Sequence, residues 1–149
     1  MNEPPCRMRG LFDLGMSESL QVLYVAEKLI AQFNPKLYRH FEKEHVDTTM
    51  FASQWLITLY TSSFPFDIVV RVWDCFLMEG WKVIYRVMLA LLEKATPDLL
   101  KLQFEDILGY LKELPNMVEG LALIESAYKV KLKKRHLVKY ANEWAARQP

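Results

Sequence analysis

The densest apolar stretch of the chain lies between Phe51 and Gly80, FASQWLITLYTSSFPFDIVVRVWDCFLMEG. In its first half, apolar side chains recur every three or four residues, which is the spacing of one helix face. Those positions are Phe51, Ala52, Trp55, Leu56, Leu59 and Tyr60. Pro65 then interrupts the pattern, because proline has no N–H to donate and its φ is preset for the first turn of a new helix. The pattern therefore predicts two consecutive helices that meet at Phe64-Pro65.

The second of these helices repeats the same period. Its predicted inner face is Phe66, Val69, Val70, Trp73, Phe76 and Leu77. Arg71 and Asp74 lie three residues apart, so we expect them to pair on the helix surface. Gly80 suits the left-handed position that ends a helix. The side chains expected to be largely buried are Trp55, Leu59, Val69, Trp73, Phe76, Ile84, Met88 and Leu91.

Helix start and stop signals divide the rest of the chain. Residues up to Gly15 read as an irregular lead-in, and Ser17 is the predicted cap of a helix that runs to about Asn34. Further helices are predicted to start at Asn34-Pro35, Asp47 and Thr96-Pro97-Asp98, and Leu114-Pro115 is predicted to end one. Asn116 with Glu119 resembles a capping box, and the last helix is predicted to run to about Arg147. Between Gly80 and Thr96 the chain is apolar on nearly all sides, which is typical of a central helix.

No stretch alternates apolar and polar residues over the length of a strand. The sequence therefore predicts an all-α fold: a single lobe of about seven to nine packed helices with short connections and no sheet. Its length of 149 residues is that of one domain. We assign residues 1–15 to the lead-in and 16–149 to the helical lobe.

Charge and cysteine content narrow the functional class. The formal net charge is +1, so no global field attracts nucleic acid. Cys6 and Cys75 are far apart in sequence, which favours a reduced, cytoplasmic setting over a disulfide scaffold. The N-terminal residues lack the apolar core of a signal peptide, and no apolar run approaches the length of a membrane span.

The sequence shows no signature of a self-contained enzyme or of a cofactor site. His40 and His45 lie five residues apart, which does not match the spacing of paired metal ligands on a helix. Ser62 and Ser63 have no histidine base nearby in sequence, and neither a P-loop nor a GxGxxG motif occurs. We therefore predict no cofactor and no metal.

One cluster of like charges stands out near the C-terminus. It centres on Lys131, Lys133, Lys134 and Arg135, with Lys129 and Lys139 beside them. Such a cluster is most often a solvated helix face, here with Val130, Leu132, Leu137 and Val138 turned inward. The functional interpretation is a patch for acidic headgroups or an acidic partner, which would allow peripheral association with endomembranes.

The central motifs resemble those of the TBC domain, which activates GTP hydrolysis by Rab-family small GTPases. The matching residues are Ala52-Ser53-Gln54-Trp55, Thr58-Leu59-Tyr60, Phe64-Pro65, Arg71-Val72-Trp73-Asp74, Phe76-Leu77 and Glu79-Gly80. The sequence Met8-Arg9-Gly10-Leu11-Phe12 is similar to the family's MRGLF-like segment, and Leu37 to Phe41 is similar to the helix before the core. The order and spacing of these motifs are specific, and the likeness fades beyond about Tyr110.

The resemblance implies the second of the family's two helical lobes. The family's catalytic arginine lies in an IxxDxxR motif and its catalytic glutamine in a YxQ motif. Neither motif occurs in this sequence, so the resemblance implies no catalytic residue here. We expect contact with the GTPase, if any, from Thr61, Ser62 and Ser63 at the helix junction. We also expect an apolar surface that the missing N-terminal lobe would cover, around Met8, Leu11, Phe12, Tyr60 and Phe64.

Two functions remain open from the sequence. The chain is part of a Rab GTPase-activating protein and is inactive by itself, or it is a non-catalytic helical module. Such a module would bind a small GTPase or another partner, and the basic cluster would let it associate with membranes. A preceding segment that carries both catalytic motifs would favour the activator.

Overall fold

The structure is a computed structural model that describes residues 16–57, 60–61 and 63–147. The predicted lead-in and the side chains of Ser17, Leu59 and Ser62 lie outside what it describes. Within these ranges the chain forms eight α-helices and no strand, which confirms the predicted all-α class. The helices are α1 (Met16–Phe33), α2 (Pro35–Lys43), α3 (Thr49–Ala52), α4 (Phe66–Glu79), α5 (Trp81–Leu99), α6 (Phe104–Glu113), α7 (Gly120–Lys129) and α8 (Lys134–Ala146).

Helix α5 is the centre of the fold. Most of its circumference is buried, including Ile84, Met88 and Leu91, each with no exposed surface. It is in contact with α1, α4 and α7, and α1 in turn lies along α8. A helix that is apolar on all sides can remove its apolar surface from water only if neighbouring helices surround it. The sequence pattern correctly predicted that this helix is central.

Helix α4 turns a different face to the core than its pattern predicted. Ile68, Val72 and Phe76 are buried, whereas Phe66 is 82% exposed and Leu77 is 60% exposed. Of the predicted inner face, only Phe76 is buried; Val70 is 40% exposed, and Val69 and Trp73 are half-buried. The helix carries apolar residues on two stripes, with Val69 and Trp73 between them, and both stripes satisfy the 3.6-residue period. Periodicity alone therefore could not choose between them.

The signal at Asn34-Pro35 was correct, because α2 begins at Pro35 with Asn34 as its N-cap. The predicted break at Thr96-Pro97 was wrong, since α5 continues through Pro97 to Leu99. A proline this close to a helix end removes one backbone hydrogen bond and leaves the earlier turns intact. The hydroxyl of Thr96 donates to the Leu92 carbonyl at 2.6 Å, which further supports this last turn.

Three predicted caps also differ from the structure. Ser17 lies inside α1, which already begins at Met16. The N-cap of α3 is Thr48, while the carboxylate of Asp47 accepts only a long 3.5 Å bond from the Thr49 N–H. Glu119 is itself the N-cap of α7 and accepts from two backbone N–H groups, at 2.9 and 3.0 Å. These two bonds lower the pKa of the Glu119 carboxyl group. The predicted capping box, in which Asn116 would be the N-cap and Glu119 its partner, is therefore wrong.

Gly80 joins α4 directly to α5 in a conformation that side chains rarely adopt. Its φ is +76° and its ψ is −154°, and its N–H donates to the Phe76 carbonyl at 2.7 Å. No atom lies within 4 Å of the place where a Cβ would stand. Any effect of adding a side chain at Gly80 is therefore conformational rather than steric.

Gly80→Ala should lower the free energy of unfolding by about 1–3 kcal/mol, because this region of φ and ψ is nearly restricted to glycine. Gly109→Ala is the matched control, since Gly109 lies within α6 and has equally open space around its Cβ position. The control should raise stability by about 0.5–1 kcal/mol through the lost backbone entropy of glycine. Urea unfolding of both variants measures the difference. Equal effects of the two substitutions would mean that Gly80 is not constrained.

Candidate functional site at the junction of α3 and α4

The connection from α3 to α4 is built on an unusual backbone. A π-helical turn, Ser53–Ile57, continues α3. The N–H of Tyr60 donates to the Trp55 carbonyl at 2.6 Å, and Tyr60 has a φ of +69°. Positive φ is rare for a bulky side chain and ends a helix, because the following peptide cannot continue it. We call the segment from Ser53 to Pro65 the aromatic junction.

Tyr60 is the anchor of the aromatic junction. Its side chain has no exposed surface, and its hydroxyl donates to the Ile84 carbonyl of α5 at 2.7 Å. The pKa of Tyr60 lies well above the ordinary value of a tyrosine, mainly because burial disfavours the charged phenolate. The phenol is therefore a neutral hydrogen-bond donor at neutral pH, and it ties the junction to the central helix.

Aromatic rings continue this anchor through the core. Successive edge-to-face pairs join Phe41, Phe51, Trp55, Phe64 and Tyr60, with ring centroids 5.1 to 5.9 Å apart. This is the preferred geometry for aromatic pairs. The expectation of an exposed apolar surface near Tyr60 and Phe64 was therefore wrong, because these rings cover each other and Phe64 is only 7% exposed.

Two of the three predicted GTPase-facing residues lie within the described part of this junction. Thr61 is exposed and Ser63 is half-buried, while Ser62 lies outside the described residues. Ser63 borders a recess of about 570 Å³ that also contains Gln54 and, from the opposite wall, Lys112 and Asn116. The opposite wall comes from α6 and the turn after it, some fifty residues further along the chain, so no local sequence pattern could predict the recess. The arrangement offers a polar binding surface.

The structural motif residues have separate positions. Trp55 is buried in the aromatic junction. Pro65 is the N-cap of α4, one residue before the position predicted for it. The side chain of Arg71 lies against Gly120, the first residue of α7, where its Cδ would be 3.2 Å from an added Cβ. Asp74 is exposed, and its pairing with Arg71 stays a prediction.

The remaining candidates are the histidines and the basic cluster. The Nε2 atom of His40 lies 2.9 Å from the Leu102 carbonyl, which links α2 to the chain after α5. No group of three His, Cys, Asp or Glu side chains in the described ranges could hold a metal ion. Lys131, Lys133, Lys134 and Arg135 are all exposed where α7 connects to α8. None of the described helices combines the length and apolar composition that crossing a bilayer requires.

Comparisons with known proteins agree with the motifs of the junction. The family model of the Rab-GTPase-TBC domain matches residues 4–100. The chain is 35% identical over 141 residues to the ecotropic viral integration site 5 protein of Mus musculus, covering 93% of this chain and 17% of that protein. It is 37% identical to the Rab GTPase-activating protein tbc-11 of Caenorhabditis elegans, covering 92% of this chain and 15% of the relative.

More distant similarity extends to yeast and to a solved structure. The identity to the GTPase-activating protein GYP5 of Saccharomyces cerevisiae is 33%, over 71% of this chain and 12% of that protein. The crystal structure of the Chlamydomonas flagellar RabGAP TBC domain superposes with a TM-score of 0.65 at 28% identity, covering 69% of this chain and 36% of that one. The chain thus spans less than a fifth of the length of these curated relatives. By its motifs, its helical fold and these matches, the chain belongs to the Rab-GTPase-TBC domain family.

Proposed function

We propose that this chain forms the C-terminal lobe of a Rab GTPase-activating domain and acts on a Rab-family GTPase together with a preceding lobe. The observation that carries this proposal is the match of residues 4–100 to the family. Relatives named as Rab GTPase-activating proteins support it further. In this proposal the chain supplies the scaffold and part of the GTPase contact, in the cytoplasm, and the other lobe supplies the catalytic residues.

The chemistry of GTP hydrolysis explains this division. The reaction is accelerated by positive charge placed on the phosphoryl oxygens and by a group that orients the attacking water. In the family these are an arginine and a glutamine in IxxDxxR and YxQ motifs, and this sequence has neither motif. Thr61, Ser62 and Ser63 remain the proposed GTPase contacts, since their side chains are polar and they follow Tyr60, which is anchored to α5.

An apolar stripe on α4 is the proposed docking surface for the other lobe. Phe66, Val70 and Leu77 form this outer stripe, at positions i, i+4 and i+11 of one helix, and they are 82%, 40% and 60% exposed. Exposed apolar patches on soluble domains usually mark interfaces. The sequence predicted that the other lobe would cover Tyr60 and Phe64. We now propose that it covers the outer stripe instead.

The second candidate function is that of a non-catalytic interaction module. The polar recess beside Ser63 favours it, because every residue that lines the recess belongs to this chain. Such a chain would bind a Rab through the polar recess beside Ser63 without requiring the other lobe. Binding of the other lobe therefore distinguishes the two functions.

The test mixes this chain with a second purified protein, the segment that precedes the equivalent region in the mouse ecotropic viral integration site 5 protein. The two purified pieces should form a complex, and the double variant Phe66→Asp/Leu77→Asp should weaken it by more than about a hundredfold, since burying each large apolar side chain contributes about 1.5–3 kcal/mol. Val138→Asp is the control, because Val138 is a similarly exposed apolar residue, at 48%, on α8.

Circular dichroism should show the same helicity for all three proteins, since the substituted side chains are exposed. An unchanged affinity of the stripe variant would refute the outer stripe as the docking surface. If the wild-type chain fails to bind the segment but binds a Rab directly, the non-catalytic module is the better description.

A further inference from the structure

Six cationic side chains line one recess beside the first turns of α5. Lys82 and Arg86 come from α5, and the others from the end of α7 and the connection to α8: Lys129, Lys131, Lys133 and Lys134. The recess has a volume of about 710 Å³, and no carboxylate lines it. Because the whole chain carries a net charge of only +1, this concentration of positive charge is local. We call it the basic recess.

The backbone of residues 130–133 explains why the lysines gather there. Val130 and Lys133 have extended conformations, with ψ of 128° and 157°. Successive side chains of an extended segment point to opposite sides. Leu132 is fully buried, so Lys131 and Lys133 both point outward. The alternation buries one apolar anchor and leaves two adjacent cations beside the recess.

Arg86 fixes this segment to α5. One guanidinium nitrogen, Nη2, donates to the Leu132 carbonyl at 2.9 Å. The Nε atom of Arg86 is buried and has no hydrogen-bond partner among the described residues. A buried donor without an acceptor costs free energy. An anionic oxygen that reached this side chain from the recess would supply the acceptor.

Helix ends add smaller charges to the same place. The amino end of α8 begins at Lys134, and its turn is fixed because the Lys133 N–H donates to Nδ1 of His136 at 2.9 Å. Lys82 lies in the first turn of α5. Each amino end of a helix contributes roughly half a positive charge, and the carboxyl end of α7 contributes roughly half a negative one. These contributions are small beside six full positive charges.

Two carboxylates lie in neighbouring recesses. Glu79 accepts a hydrogen bond from the Tyr128 hydroxyl at 2.7 Å. Glu93 lines a recess on the other side of Lys129 and Lys131. If both are counted against the six cations, four net positive charges remain. The basic recess therefore keeps a strong preference for anions.

We propose that the basic recess binds a small, multiply phosphorylated ligand of the inositol phosphate class, either free or as a lipid headgroup. Its volume lies within the range of small-molecule sites. Several ammonium groups around one recess match several phosphates on one ring, since lysine binds phosphate as a point charge. A nucleic acid would need a longer basic track than this one recess provides.

Isothermal titration calorimetry of the full chain with inositol hexakisphosphate, and then with inositol trisphosphate, tests the site. The double variant Lys131→Gln/Lys133→Gln should lower the affinity about thirtyfold, because each lysine near a polyanion contributes a factor of about five. Lys43→Gln/Lys101→Gln is the control, since both lysines are exposed and neither lines the recess. The control should change affinity less than about twofold through its effect on net charge.

Vesicles distinguish the two sources of the phosphates. Sedimentation with phosphatidylcholine vesicles that carry phosphatidylinositol bisphosphate should show binding, lost in the recess variant, if the ligand is a lipid headgroup. Binding of the soluble phosphates without vesicle binding would identify a free ligand. No saturable binding in either experiment, or an equal loss in the control variant, would overturn the proposal. Neither measurement includes a GTPase, so the result is independent of the proposed activator function.

Discussion

Single-turnover GTP hydrolysis by a panel of Rab GTPases should proceed at its intrinsic rate when this chain alone is added in excess. Once the chain is joined to a preceding lobe that carries the two catalytic motifs, hydrolysis by a cognate Rab should rise by about 10³–10⁵. The reason is that the chain has no arginine held in an IxxDxxR context and no YxQ glutamine. A scaffold can bind the GTPase without stabilising the charge that develops on the phosphoryl oxygens.

The arginines of this chain provide the control. They are Arg7, Arg9, Arg39, Arg71, Arg86, Arg135 and Arg147. Arg71 lies against Gly120 at the start of α7, and Arg86 donates a hydrogen bond to the Leu132 carbonyl. In the joined protein, Arg71→Ala should leave the accelerated rate within about threefold, whereas mutating the arginine of the other lobe should remove most of the effect. A tenfold or larger acceleration by the isolated chain, abolished by mutating one arginine here, would contradict this assignment.

The sequence correctly predicted how a helix packs where its hydrophobic pattern allows only one buried face. Helix α5 is apolar on nearly every side, so no choice of face was needed, and its central position followed. Helix α4 offers both Ile68-Val72-Phe76 and the outer stripe to the core, and only tertiary contacts select between them. In the isolated lobe the first set packs against α5 and α7. Of the predicted face of α4, Phe66, Val70 and Leu77 lie in solvent, whereas Phe76 is buried.

Local signals failed where a contact from distant sequence decided the geometry. The positive φ of Tyr60 depends on an anchor to Ile84, twenty-four residues away, and tyrosine is not a residue that predicts such a conformation. The polar recess beside Ser63 needs α6 as its second wall. The basic cluster was visible as a run of lysines, but its gathering around Lys82 and Arg86 depends on the buried Leu132.

Trp55→Ala should be the most destabilising tryptophan substitution in this chain, at about 3–5 kcal/mol. The indole is 3% exposed and packs edge-to-face on Phe51 and Phe64, with centroids 5.4 and 5.9 Å away. Its removal would leave a cavity that these rings cannot fill without leaving their preferred geometry. The Trp55 carbonyl also accepts the N–H of Tyr60, so collapse of the cavity would disturb the anchor of the aromatic junction.

Trp73→Ala is the comparison, because it removes the same side chain from a half-buried position on α4. The sequence predicted Trp73 as the buried anchor of this helix, whereas Val72 and Phe76 hold that place in the structure. Its loss should cost about half as much as that of Trp55, since the hydrophobic contribution scales with the apolar area removed from water. Chemical unfolding of the two variants gives the order directly. If Trp73→Ala were the more destabilising, the register of α4 described here would be wrong, and the outer stripe would belong to the core.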